Sequence, residues 1–416
     1  MPDKRLKYTL ILPVLLLSLV NSGSAQWRDL NLGDVHVHHL DLYDSVLYAA
    51  TEAGVARLDL RDEAAGWTSL GLDTVNVHTI LVYSSDTMFA GNRVGPVFLY
   101  RSTNGGAVWE PFENGWGGDQ EFRPVLAMDR IPGSEDIFST GLAVIGKSSN
   151  LGLDWQIKWG GWEYLAMGMV FVKVDYNDPS IVWAGGESAI LHPWLLKSTD
   201  SGNTFELVNV YFAGDNRAHD IAIAPAISDI AFVSMEGLVR KTVDGGTNWT
   251  TILSNEYYLY GIEIDRNNPM NMYTSGATSV GTPPLTLFLT HDGGSTWRTV
   301  ADDSYSQNYS EDILLMPSND INTIFFATLH GVHAYADSPI ACCNGITGNV
   351  DGDEGELVDI GDLTALIDYL YIENTPPICQ AEANIDGDSR GSVDIGDLTA
   401  LIDYLYISLI PPSPCP

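Results

Sequence analysis

The segment Ser102-Thr-Asn-Gly-Gly-Ala-Val-Trp109 decides the fold, because it returns four more times as Ser148–Trp155, Ser198–Phe205, Thr242–Trp249 and Thr290–Trp297. Each copy fits a hydroxyl residue, one spacer, Asp or Asn, one spacer, Gly, two spacers and an aromatic. The aromatic positions 109, 155, 205, 249 and 297 lie 44 to 50 residues apart, the length of a four-stranded propeller blade. In such a turn the Asp or Asn side chain accepts hydrogen bonds from nearby backbone amides. Gly supplies the positive φ, and the ring buries itself between strands.

A second element recurs with this turn. It reads Val46–Ala50, Thr87–Gly91, Asp136–Thr140, Ile181–Gly185, Ile230–Ser234, Asn271–Ser275 and Ile324–Thr328, seven apolar strands each followed by another strand. Trp27 and Trp67 are degenerate blade ends without the full turn. The expectation is a mainly β chain forming a seven-bladed propeller over 26–337. The pair ending at Ala336 has no tryptophan strand after it, whereas Gln26-Trp27-Arg28-Asp29-Leu30 has nothing before it, so the N-terminal strand is expected to complete the last blade and remove an open edge.

The repeat resembles the Asp-box, or BNR, repeat of sialidases, sortilin-type propellers, xyloglucanases and photosystem-assembly-factor-like propellers. The resemblance implies that Asn104, Asn150, Asp200, Asp244 and Asp292 shape peripheral turns and are not an active site. A sialidase reading fails on Arg130-Ile131-Pro132, which falls after the first box, where later blades carry Asp175–Pro179 and Asp265–Pro269. A xyloglucanase-like glycosidase is closer in the wording of the repeat at Leu196–Phe205, but those enzymes set two carboxylates in a cleft between two propellers. This chain has room for one.

Propellers bind ligands where the innermost strands meet around the central channel. Aligning the starts of those strands gives His38, His78, Pro124, Val170, Asp220, Tyr260 and Asp312, with His36, His39, Arg123, His219 and Glu311 beside them. His38, His78, Asp220, Tyr260 and Asp312 are therefore the ligand-binding candidates. If the propeller is an enzyme, it is a glycoside hydrolase with its carboxylates among Asp220, Glu311 and Asp312. Trp116, Trp159, Trp162 and Trp194 are candidate platforms for sugar rings, though tryptophan is also an ordinary filler of a sandwich core.

From Cys342 the composition changes. Asp359-Ile-Gly-Asp-Leu-Thr-Ala-Leu-Ile-Asp-Tyr-Leu-Tyr-Ile372 is repeated without change at 394–407, preceded by Asn349-Val-Asp351-Gly-Asp353 and Asn384-Ile-Asp386-Gly-Asp388. Alternating oxygen ligands followed by a carboxylate that opens a helix follow EF-hand logic, and Leu363, Leu366, Ile367 and Leu370 are spaced as one helical face. Two such loop–helix halves resemble the type I dockerin, which docks enzymes onto cohesin modules. That resemblance implies an α-helical module over 338–416 with two Ca2+ sites, ligated by Asn349, Asp351, Asp353, Asp359 and Asp362, and by Asn384, Asp386, Asp388, Asp394 and Asp397. It also implies a cohesin-like partner. This sequence departs from the family in two extra residues per loop, Glu354-Gly355 and Ser389-Arg390, in Glu356 where the second loop has Gly391, and in Ile360-Gly361 and Ile395-Gly396 where hydroxyl pairs commonly stand.

Lys4, Arg5 and Lys7, an apolar run from Leu10 to Val20 and the small residues Ser22–Ala25 have the layout of a secretory signal, so residues 1–25 are expected to be removed and the protein to be secreted or displayed on the cell surface. The apolar run is too short for a membrane span. A net charge of −34, from 54 acidic and 20 basic residues, repels nucleic acid and attracts divalent cations. All four cysteines, Cys342, Cys343, Cys379 and Cys415, fall in the last module. In an oxidising compartment they read as two disulfides with three connectivities open. The functional expectation is a secreted binding or scaffolding protein whose propeller holds a glycan or protein and whose calcium module tethers it. The alternative is polysaccharide hydrolysis.

Overall fold

The computed structural model describes residues 27–117, 123–160, 168–187, 192–208, 217–225, 227–278, 284–302, 308–318, 321–337, 346–352, 358–372, 377, 379–387 and 393–412. The expected signal segment 1–25, Trp162, Asp353, Asp388, Cys342, Cys343 and Cys415 lie outside them.

Residues 27–337 form a β-propeller of antiparallel sheets. Among the described residues there are six sheets, five of four strands and one of six, which corrects the expected seven separate blades. The difference arises at one strand, Thr250–Ile264. Its first part pairs with Ala231–Thr242, through Val239 opposite Leu253, and its second with Met272–Thr278, through Ile262 opposite Thr274. The sequence TTILSNEYYLYGIEI has no proline and one late glycine, so nothing breaks the strand between two repeats. The outer edge of one repeat thus runs on as the inner strand of the next. Among the described residues, seven strand segments consequently line the central channel: Val37–Tyr43, Val77–Val82, Ala127–Arg130, Gly168–Val174, Ala218–Ile223, the second part of Thr250–Ile264, and Ser310–Met316.

The chain's beginning closes the ring. Trp27–Asp29 pairs with Gly331–Asp337, Trp27 opposite Tyr335, and the Trp27 ring lies 5.0 Å from Phe326 and 4.9 Å from Tyr335. Apolar layers fill the space between successive sheets. Phe138, Ile145 and Met169 meet Val172 and Val182 in one of them, and Trp183 meets Val233 and Trp249 in another. Trp116, expected as a sugar platform, is fully buried and stacks edge-on with Trp155 at 5.5 Å. Trp159 and Trp194 pack partly buried against the core, their rings 6.3 Å apart.

The five repeated turns share one geometry. The Ser198 hydroxyl donates to Asp200 Oδ1 at 2.8 Å and accepts the Gly202 amide at 2.8 Å, while the Thr204 amide donates to Asp200 Oδ1 at 2.8 Å. The same set recurs at Thr242, Asp244 and Asn248. The glycine answers two demands at once. Gly202 has φ +73°, and a Cβ there would run into the Phe138 ring of the preceding sheet. The turn therefore fastens each repeat to the one before it.

The C-terminal module contains the helices Ile360–Ile367 and Ile395–Ile402, each continuing into a π-helical turn. Val350 with Leu366, and their counterparts Ile385 with Leu401, form its core with Ala383. Cys379 is buried beside them.

Gly202→Ala is expected to destabilise the propeller by about 3 kcal/mol, through overpacking against Phe138 and a strained φ. The neighbouring Ser201, also at positive φ (59°) but half-buried, should gain stability as Ser201→Gly. Urea midpoints of the two variants moving the same way would refute this account of the turn.

Candidate functional site

The site begins with an unpaired edge. The innermost strand of each repeat pairs outward only, so its inward N–H groups need partners from elsewhere. Four carboxylates provide them, each reaching to the next strand around the ring. Asp41 Oδ2 accepts the Val82 amide at 2.6 Å, Asp129 Oδ2 the Val174 amide at 2.7 Å, and Asp220 Oδ2 the Ile262 amide at 3.4 Å. Asp312 Oδ2 closes the ring on the Leu40 amide at 3.0 Å.

Above these caps lies a tier on which the sequence alignment placed His38, His78, Val170 and Tyr260 correctly and the residues of two other strands one place off. In six innermost strands the register slips by one residue near the start, between Val37 and His39, Val77 and Thr79, Met169 and Phe171, Ala218 and Asp220, Leu259 and Gly261, and Ser310 and Asp312. A bulge leaves one extra residue unpaired and re-aims its side chain. Those residues are His38, His78, Val170, His219, Tyr260 and Glu311, and all six line a cavity of about 950 Å3 on the channel. His219 and Glu311, not Asp220 and Asp312, are thus the equivalents of His38. Leu126, not Pro124, lines the cavity in the remaining strand.

The two tiers differ electrically. At the mouth, Glu311 lies between two histidines: its Oε2 is 2.7 Å from His38 Nδ1, and its Oε1 is 3.0 Å from His36 Nε2 in a direction poor for a hydrogen bond. Burial pushes Glu311 up, but the two imidazoles outweigh it and hold the carboxyl at about 2. The contact with Glu311 raises His36 in turn. Tyr309 donates to Glu311 Oε1 at 3.5 Å, the His78 ring lies 5.2 Å from His38, and His219 meets Tyr260 edge-on at 4.8 Å. Burial drives His78 and His219 each down to about 3, so both are neutral imidazoles.

Below the mouth, Lys173 extends into the ring of acids with Nζ 3.7 Å from Asp220 Oδ1. Burial alone would lower it, but Asp220, Glu263, Asp312 and Asp129 together raise it, so it keeps its charge. Burial pushes Glu263 to about 7 and Asp312 to about 6, against the pull of Lys173. Glu263 had no signal in the sequence reading; the two-residue step from Gly261, the residue after the bulge, would have found it.

In the C-terminal module, the Asp359 side chain accepts the Gly361 amide at 2.6 Å, and Asp362 Oδ2 accepts the Asp359 amide at 2.7 Å, a reciprocal helix cap. Asp362 Oδ1 accepts the Asp351 amide at 3.1 Å, tying loop to helix. Asp394, Gly396, Asp397 and Asp386 repeat this arrangement. A Cβ at Gly361 or Gly396 would meet the carboxylate of Asp351 or Asp386, which explains glycine where hydroxyl residues were expected. The donors are hard oxygens. Carboxylate oxygens converging from loop and helix suit Ca2+. Asn349 and Asn384 precede the two loops, buried and half-buried respectively.

The described fold and channel define a β-propeller protein. No family model matches the chain, and no curated protein matches it. Solved structures do. The GH74 xyloglucanase from Xanthomonas campestris superposes with a TM-score of 0.58 at 18% identity, over 74% of this chain and 53% of that one. An ancestral GH74 enzyme gives 0.57 at 16%, over 74% and 45%. YCF48 bound to D1 peptide gives 0.56 at 15%, over 76% and 98%. The chain spans about half the length of those GH74 structures. At such identities the shared feature is the fold, which serves a glycoside hydrolase and YCF48 alike and decides neither for nor against catalysis. No helix among the described residues is long and apolar enough to cross a membrane.

The buried acids give a pH test. Glu263, raised from 4.5 to about 7, contributes stability that is present below pH 4.5 and is lost as pH rises through about 7. Glu263→Gln removes that loss. Its stability relative to the unsubstituted chain should climb between about pH 5 and about pH 7 and level off above. A gap in urea midpoint that does not change with pH would contradict the burial of this carboxyl.

Proposed function

We propose that this is a secreted binding protein whose seven-repeat propeller holds a glycan or a protein segment at the channel mouth, and whose dockerin-like module tethers it, with Ca2+, to a cohesin-like partner. The observation that carries the binding reading is the division of labour in the channel. Asp220 and Asp312, the carboxylates a hydrolase would use, are committed to strand amides and to Lys173, and Glu311 is gripped by histidines. Beside them the cavity is lined by the imidazoles of His78 and His219 and the phenol of Tyr260, side chains that stack on sugars and hydrogen-bond to hydroxyls or peptide groups.

The tether rests on the duplicated caps, in which Asp351, Asp359 and Asp362, and Asp386, Asp394 and Asp397, would hold the cations together with Asn349, Asn384, Asp353 and Asp388. The exposed Ile360 and Ile395, at equivalent places on two identical helices, offer a partner two similar faces. Glycoside hydrolysis is the second reading. It draws on the GH74 likeness and on Asp312 and Glu263, pushed up far enough to give a proton near neutrality.

Affinity electrophoresis through xyloglucan and other β-glucans, with reducing ends assayed in parallel, separates the readings. Retardation without new reducing ends is expected. Reducing ends that appear with the native chain and vanish with Asp312→Asn would establish a hydrolase. For the tether, Asp351→Ala combined with Asp386→Ala should abolish two calorimetric Ca2+ sites and the calcium-dependent melting step, while the propeller's transition stays in place. A shift of both transitions together would refute two independent units.

A further inference from the structure

We propose that His36, His38 and Glu311 form a binding site for a divalent transition-metal ion of the zinc type at the channel mouth, separate from the calcium loops. Among the described residues this trio alone offers imidazole, thiolate or carboxylate ligand atoms within 4.8 Å of one another. A tetrahedral zinc centre places such atoms about 3.4 Å apart, so small side-chain rotations suffice. Two imidazoles and one carboxylate suit zinc and its neighbours and not Ca2+, which takes oxygen ligands.

The backbone builds the trio. The His36 and His38 rings lie 4.1 Å apart, flanking the buried Val37 in the chain, and the bulges at His38 and Glu311, on adjacent strands, aim both into the mouth. The His36 amide donates to Glu52 Oε1 at 3.2 Å, which holds that end of the strand. His38 is nine-tenths buried, and its Nε2 meets no hydrogen-bond partner. The nitrogen that faces Glu311 is His38 Nδ1, and beside it His36 Nε2, 3.0 Å from Glu311 Oε1, is buried with no hydrogen bond; a nitrogen left this way costs stability, and a metal ion among the three side chains would satisfy it. Two outer groups are in place to orient the ligands: the His78 ring against His38, and the Tyr309 hydroxyl on Glu311. Three protein ligands leave a position open toward the cavity, where a water or a ligand oxygen would complete the sphere.

The test uses the full chain saturated with Ca2+ and titrated with Co2+. One equivalent should produce the intense visible bands of a four- or five-coordinate site, and Zn2+ should bleach them. His38→Ala and Glu311→Gln should each weaken uptake by more than about tenfold, with circular dichroism unchanged. His330→Ala, at a surface pair with Asp34, should bind as the native chain does. Absence of the bands, or native affinity in folded His38→Ala and Glu311→Gln, overturns the proposal. Anomalous scattering from a Zn2+-soaked crystal decides without any variant. A peak among the three side chains supports the site, and zinc found only elsewhere on the acidic surface refutes it.

Discussion

The inner edge of the innermost strands is the constraint on which the rest of this molecule depends. A ring of strands that pair outward leaves a circle of N–H groups facing a narrow channel, where water alone is a poor partner. Asp41, Asp129, Asp220 and Asp312 meet that demand by reaching from one strand to the next. The device has a cost, since it gathers buried negative charge. Lys173 offsets part of it, and protonation of carboxyls with raised pKa, Glu263 and Asp312 above all, offsets more. The acidic lining is thus explained by backbone chemistry before any ligand is invoked.

The bulges separate this scaffold from the groups available for binding. In the first innermost strand the extra residue is His38 and in the last it is Glu311, each directly before the residue, His39 or Asp312, that resumes the pairing. Through these extra residues, imidazole, phenol and carboxylate side chains rise to a mouth tier while the caps remain beneath. Such a layout keeps the ring's stability independent of what the mouth binds, so the mouth residues are free to differ among the strands. Here they give one side of the channel a histidine-rich and the other an aromatic character.

Much of the architecture was legible in the sequence because it rests on periodic signals. The turn motif, the apolar strands and the tryptophan at the N-terminus each repeat or complete a pattern, and the closure by Trp27–Asp29 followed from counting strands. The bulges were not legible. An inserted residue leaves the apolar pattern intact on either side, so His219 and Glu311 were set one place away from His38. Six sheets instead of seven also escaped notice, since the absence of a breaker between Thr250 and Ile264 is quieter than the presence of one. Trp116 is ambiguous in the sequence because a loop tryptophan reads alike whether it faces solvent or, as here, Trp155. In the calcium module the identical halves made the helix caps plain, whereas the reason for Gly361 and Gly396 needed the position of the neighbouring carboxylates.

Amide hydrogen exchange at Leu40 in Asp312→Ala, read beside the same amide in Glu311→Ala, tests the central claim most directly. The account predicts markedly faster exchange at Leu40 when Asp312 is removed and native protection when Glu311 is removed, because the first is a cap and the second a mouth residue. Equal protection in both variants would contradict it, and would return Asp312 to the pool of groups free to act on a ligand.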